Sequence, residues 1–250
     1  MNINEREEYL KDVIILTGEI LLEAGAGGYR TEQTMNKIAH HFGYSDCNSF
    51  VTNTVINFSL HDLTYPRVKR VTARNTNLIK VSRANAVAHQ MTSDDLTIEE
   101  ALEKLRKIQF ETKGYSAYDK AIASALVGLS FLYLQGGDMQ NIATAMFAAA
   151  MGFLIKEQVA SKVQSLFIPE FIGALIISFI IIAMSQLVPD PKLSVTIIAA
   201  VMPIVPGVLI TNALQDLLIG NLMMALTKGL EAAVIAFAIG AGVATMFYIF

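Results

Sequence analysis

The 250-residue chain has no tryptophan, a single cysteine (Cys47), six prolines and only 16% charged residues. A soluble globular protein carries about 25% charged residues. One cysteine excludes an intramolecular disulfide framework and a cysteine-rich zinc site. A net charge of -3 and a pI near 5.8 remove the basic footprint that nucleic-acid binding requires. The Walker lysine motif is missing, so nothing points to ATP-driven work. No signal peptide is expected either. Residues 4–8 are acidic, and Lys11, Asp12, Glu19 and Glu23 interrupt the apolar stretch that follows.

The shortage of charge is uneven. Residues 1–119 hold 14 of the 19 Lys+Arg and 16 of the 22 Asp+Glu, which leaves 11 charges for residues 120–250. Such a split excludes one soluble globule and a disordered chain, and predicts a soluble domain joined to a membrane domain. Charge-free runs occupy 121–137, 139–155, 171–189, 193–215 and 232–250. Each matches the roughly 17–25 apolar residues that a helix needs to cross a bilayer core. The fold expected is an α-helical polytopic membrane protein with five transmembrane helices and a small cytoplasmic α+β N-terminal domain. Its domains are 1–114 and 115–250, with spans near 117–136, 139–156, 169–188, 193–214 and 229–250. Breaks fall at Gly136-Gly137-Asp138, at 156–170, at Pro189-Asp190-Pro191-Lys192 and at 216–231. If the first span leaves the cytoplasm, Lys156, Lys162 and Lys228 lie in cytoplasmic loops and Lys192 lies outside, in keeping with the positive-inside rule. Tyr115 and Tyr118 stand where amphipathic rings mark the headgroup level. Small residues such as Gly128, Ala148, Gly152 and Gly173, several at four-residue spacing, read as helix packing.

In the first domain, helical spacing places Val13, Leu16, Ile20 and Leu21 on one helix over 5–24, and Met35, Ile38, Ala39 and Phe42 on a second over 30–42. The turn Ala24-Gly25-Ala26-Gly27-Gly28 separates them, with Thr31 expected as a cap. Residues 50–60 and 67–73 read as β-branched strands. Thr97-Ile98-Glu99-Glu100 is a capping-box pattern opening a helix over 97–110. His40 and His41 are adjacent, not spaced for a metal, and no metal or other cofactor is expected. The glycine turn follows a helix and carries Arg30 where a dinucleotide loop has glycine, so that reading fails. Arg67, Lys69, Arg70, Arg74, Lys80 and Arg83 form a basic stretch, read as a solvated strand face or as an anion or lipid contact.

Transport chemistry is concentrated in the fourth apolar run. Pro203, Pro206 and Gly207 remove two backbone donors in mid-span and permit an unwound segment. Broken helices of this kind present backbone groups to solutes in secondary transporters. Thr211, Asn212 and Asp216 follow, close enough in spacing to share a face, with Asn212 and Asp216 at i and i+4. Asp216 is the preferred pathway carboxylate. Glu231 comes second, with Lys228 as its possible partner. Asp138, Lys156 and Glu170 sit at span ends, where solvation and function are both open readings.

The order of Ala24-Gly25, Arg30-Thr31-Glu32-x-x-Met35, Gly136-Gly137-Asp138 and Met202-Pro203-x-x-Pro206-Gly207 with Asn212 and Asp216 resembles the threonine/serine exporter (ThrE) family across nearly the whole chain. Gly25, Arg30 and Glu32 are the matched positions of the first domain. The family joins a cytoplasmic domain to about ten spans or splits those spans between two chains. With five, this chain resembles the larger, YjjP-like subunit of the split form, whose small multi-span membrane partner is YjjB-like. The resemblance implies a secondary-active, non-enzymatic exporter subunit in a bacterial inner membrane, with a cytoplasmic N-terminal domain, working as a hetero-oligomer. Its substrate is a small polar metabolite, a dicarboxylate such as succinate ahead of threonine or serine. A membrane-anchored metabolite sensor or hydrolase, acting through the first domain, is the competing class.

Overall fold

A computed structural model of the chain describes residues 3–61, 65–72, 76–111, 114–163, 165–187 and 192–250. Arg74, Pro189, Asp190 and Pro191, together with the end of the 169–188 span, lie outside the described residues. Two units divide the chain. The first is Met1–Gly114 with Asn212–Lys228, and the second is Tyr115–Thr211 with Gly229–Phe250.

The first unit grows from the apolar stripe of α1 (Ile3–Glu23), which buries Leu10, Val13, Ile14, Ile20 and Leu21. Helix α2 (Gly28–His41) lays Met35, Ile38 and Ala39 into the same core. Burying a side chain of this size stabilises the fold by about 1.5–3 kcal/mol. Thr31 does not cap α2: Gly27 occupies the cap position, and the Thr31 hydroxyl donates to the Gly27 carbonyl at 3.0 Å. The helix therefore begins earlier than its apolar periodicity indicates. Gly25 has φ +88, a left-handed value that glycine adopts without a Cβ penalty, and this turns the chain between the two helices.

Residues 50–60 do not form one strand. They belong to a hairpin of β1 (Asn48–Val51) and β2 (Val55–Ser59), closed where the Thr52 N–H donates to the Val55 carbonyl at 2.8 Å and the Thr52 hydroxyl accepts from the Val55 N–H at 3.1 Å. The β-branched alternation runs straight through this turn, which hides it from a periodicity count. β3 (Arg67–Arg70) completes an antiparallel sheet of order β1-β2-β3, with Val51 opposite Ile56 and Asn57 opposite Val68. Ile56 and Phe58 alternate inward onto α1. Helix α3 (Leu78–Met91) is an element the sequence reading leaves unassigned. Its signal was present: the Asn77 side chain caps it by accepting from the Lys80 N–H at 3.1 Å, and Ala84, Val87, Ala88 and Met91 face the core. In α4 (Ile98–Glu111) the capping box forms, with Thr97 N–H donating to Glu100 Oε2 at 3.0 Å and Glu100 N–H to Thr97 Oγ1 at 3.3 Å.

The second unit is helical. α5 (Ala117–Leu134) starts at a Ser116–Asp119 capping box, and α6 (Ile142–Ala160) and α7 (Ile168–Ser185) pack beside it. A Cβ at Gly128 would stand 3.0 Å from Ala149 Cβ and 3.1 Å from the Ala145 carbonyl, so glycine lets α5 approach α6 more closely than a larger residue would without a shift. Buried hydroxyls are satisfied within their own helices: Ser124 donates to Lys120 O, Ser178 to Ala174 O and Thr196 to Lys192 O. Backbone-directed bonding of this kind suits a medium that offers no water. Among the described residues, four helices are long and apolar enough to cross a membrane: Ala117–Leu134, Met139–Ala160, Ile168–Ser185 and Leu222–Ile249, the last being α10. The broken pair described next makes up to five. A mostly helical, multi-pass membrane protein with a small three-stranded sheet is the result.

Candidate functional site

Helix α8 (Leu193–Val201) tightens into a 3-10 turn at Met202–Ile204 that contains Pro203. Val205, preceding Pro206, has φ -64 and ψ 135, the extended conformation that a following proline enforces. The chain re-enters helix at Gly207 as α9 (Gly207–Leu218), bent by 68° from the segment before it. Pro203, Pro206 and Gly207 thus make a discontinuity in the backbone.

Beyond the break, Asn212 and Asp216 lie in the first unit with the glycine turn. Asn212 Nδ2 donates to the Gly25 carbonyl at 3.3 Å. A Cβ on Gly27 would stand 3.8 Å from Asn212 Oδ1 and 3.9 Å from Gln215 Oε1. A Cβ on Gly28 would overlap the Met224 thioether, so Met224 of α10 rests directly on the α2 backbone. Between these contacts Asp216 Oδ2 accepts from Lys228 Nζ at 2.8 Å, with side-chain exposures of 1% and 5%. A desolvated pair of this kind is held only by close geometry, because each charge has lost its water. Glu32 is half-buried beside them and accepts the Val51 N–H at 2.7 Å. Burial pushes its carboxyl above the usual range, and the nearby Asp216 charge pushes in the same direction.

Two sequence motifs about 190 residues apart therefore meet: Gly25 and Glu32 from one, Asn212 and Asp216 from the other. Two expectations are corrected. Thr211 does not share their face, being exposed with its hydroxyl turned back to the Gly207 and Val208 carbonyls at 3.0 and 3.1 Å. Lys228 pairs with Asp216, and it is buried in α10 instead of lying in a loop. Arg30 is exposed at the start of α2. Lys228 was missed as a site residue because its partner lies 12 positions away across a turn, a spacing that no helical rule flags.

The other candidates lie in the second unit. Asp138 pairs with Lys192 at 3.1 Å, both side chains being partly exposed. Lys156 lies 3.8 Å from Glu170 and 5.1 Å from the centroid of the Phe153 ring. The second oxygen of Glu170 is buried without a hydrogen bond. Glu231 is half-buried on α10. The basic stretch is dispersed: Arg67 pairs with Asp12 and Glu8, Lys69 with Glu19 at 3.0 Å, and Lys80 donates to the Gln109 carbonyl at 2.7 Å from α3. His41 pairs with Asp94 at 2.8 Å, and among the described residues no group of His, Cys, Asp and Glu gathers to hold a metal ion.

Among curated proteins and among solved structures, nothing matches the chain. The family described as "Putative threonine/serine exporter" (ThrE) matches residues 12–250, a stretch that takes in the glycine turn, Glu32, the proline break and the Asp216–Lys228 pair. With its several membrane-length helices and its match over almost the full length, the chain belongs to the threonine/serine exporter family.

Proposed function

We propose that the chain is one subunit of a secondary-active exporter of hydroxyl amino acids, in which Asp216 and Lys228 receive the two charged ends of the substrate. The buried Asp216–Lys228 pair is the observation that carries this reading. A zwitterion replaces such a pair group for group. Its ammonium takes the Asp216 carboxylate, its carboxylate takes the Lys228 ammonium, and no net charge is added to a dry site. Succinate fits less well. With Asp216, Lys228 and Glu32 as its ionisable groups, the site is never net positive whichever state Glu32 holds, so a dianion meets no excess cation. Asn212 and the Gly25 carbonyl supply uncharged hydrogen-bonding groups for a substrate hydroxyl.

Transporters commonly build their pathway between two sets of helices. Among the described residues this chain has four to five membrane-length helices, so a small multi-span membrane protein is the partner proposed, with the larger subunit of the two-chain form as this chain's identity. Bacterial inner-membrane residence and a cytoplasmic first unit belong to the same reading. The experiment is counterflow in vesicles holding the chain with and without that partner, with labelled threonine, serine and succinate in separate arms. Threonine or serine counterflow only with both chains, lost in Asp216→Asn, is the expected result. Succinate counterflow without threonine counterflow would overturn the substrate, and full rates with this chain alone would overturn the partner.

A further inference from the structure

A second site lies in the first unit, away from Asp216. Helix α1, strand β3 and helix α4 enclose a cleft of about 550 Å³, within the range of small-molecule sites. Its charged lining is Asp12, Glu19, Arg67, Lys69 and Arg106. Four of these cancel: Arg67 pairs with Asp12, and Lys69 with Glu19 at 3.0 Å. The Arg106 guanidinium has no ion-pair or hydrogen-bond partner among the described residues, and it is the one cation of the lining left over. Apart from Gln109 the rest of the lining is apolar, from Leu16 on α1 to Leu102 and Phe110 on α4. Phe110 is 82% exposed at the rim, where its ring is open to a ligand.

We infer that this cleft binds a small amphipathic monocarboxylate, its carboxylate held by the Arg106 guanidinium and its hydrocarbon body laid against Leu16, Leu102 and Phe110. Arginine matches a carboxylate with two parallel N–H bonds, which gives a single anion both charge and orientation. The charge balance sets the class. One uncompensated cation accepts one negative charge, whereas a nucleotide polyphosphate would have to break the Arg67–Asp12 and Lys69–Glu19 pairs to be neutralised. A metabolite held here acts on the N-terminal helices without entering the Asp216 site, so the inference stands independently of the transport reading.

The absence of tryptophan supplies the probe. In the full-length chain in lipid nanodiscs, Phe110→Trp places the only indole of the protein at the rim of the cleft. Titration with 4-methylpentanoate is expected to shift its emission saturably. The neutral isostere 4-methylpentanamide and ATP should leave the emission unchanged. The shift should weaken at least tenfold in affinity when Arg106→Gln is added, and persist with Lys104→Gln, an exposed cation on the same helix outside the lining. Thermal unfolding of the chain with native Phe110, with and without the acid, gives a second readout free of the indole, and a rise in Tm lost in Arg106→Gln is expected. No saturable response in either readout would overturn the inference. So would equal binding of the amide, preference for ATP, or an unchanged response in Arg106→Gln.

Discussion

Asp216 and Lys228, 12 positions apart in the chain, close a 2.8 Å ion pair that is almost completely shielded from solvent. The turn between α9 and α10 makes this possible: Gly220 takes φ +88, and the Asn221 N–H donates back to the Asp216 carbonyl at 2.8 Å. The same helix end holds Asn212 on the Gly25 carbonyl, so the pair, the turn and the glycine loop are mechanically one piece.

Removing one charge should harm the protein in a way that removing both does not. Asp216→Asn leaves the Lys228 ammonium buried without its counter-charge, and is expected to destabilise by about 3–5 kcal/mol. The double variant Asp216→Leu with Lys228→Met should recover most of that loss, since a packed apolar pair needs no water. Transport should stay abolished in both. Thermal unfolding measured beside counterflow separates the two effects, and a transporting double variant would remove the pair from the pathway.

Glu32 makes stability depend on pH. Its folded-state carboxyl is raised above the unfolded value, chiefly by burial. Between the two values the native state holds a proton that the unfolded chain has released, so stability falls as pH rises through this window and is highest below it. Glu23, raised for the same main reason, adds a parallel loss. Glu32→Gln keeps an oxygen for the Val51 N–H and should flatten part of this decline, raising Tm at neutral pH relative to the native chain. A series of Tm measurements from pH 4 to 8 tests the sign.

The two kinds of close glycine contact should respond differently to an added methyl group. At Gly28 the obstacle is the free end of the Met224 side chain, which swings aside, so Gly28→Ala should cost under about 1 kcal/mol. At Gly128 the obstacle is the Ala145 backbone carbonyl and Ala149 Cβ, which move only with the whole of α6. Gly128→Ala should therefore cost about 1–3 kcal/mol by overpacking. Thermal unfolding of the two variants side by side gives the comparison.

Straightening the proline break should be visible as a distance. With Cys47→Ser removing the native thiol, spin labels at Ile198 and Ile210 bracket the break from exposed positions. A continuous helix would separate these backbone positions by about 18 Å, and the bend holds them closer. Pro203→Ala with Pro206→Ala should move the distance toward the helical value and slow counterflow at least tenfold. An unchanged distance would place the cause of the bend in packing and not in proline.

Much of the fold was legible in residue order because it rests on local rules. Apolar spacing marked α1 and α2, Thr97 with Glu100 marked the start of α4, and missing charge marked the helices of membrane length. Legibility failed where a local pattern was continuous across a change of direction, as at Thr52–Thr54, or where a cap and apolar spacing went unread beside a basic stretch, as with Asn77 and Ala84, Val87 and Met91 of α3. At the site, Pro203, Pro206, Gly207, Asn212 and Asp216 were all prominent in sequence, each through a property of its own or a spacing of one helical turn.

The amino-acid sequence by itself determined that a charged α+β segment precedes a helical membrane segment with one proline-broken helix. Solvation and backbone chemistry act residue by residue, so composition suffices to reveal them. Only the tertiary structure decided which carboxylate meets which ammonium. Lys228 meets Asp216 from 12 positions away, and Asn212 reaches Gly25 from the far end of the chain. Those partners are chosen by how α9 and α10 turn back onto the glycine loop, and burial then makes the choice binding, because a charge removed from water must find a counter-charge.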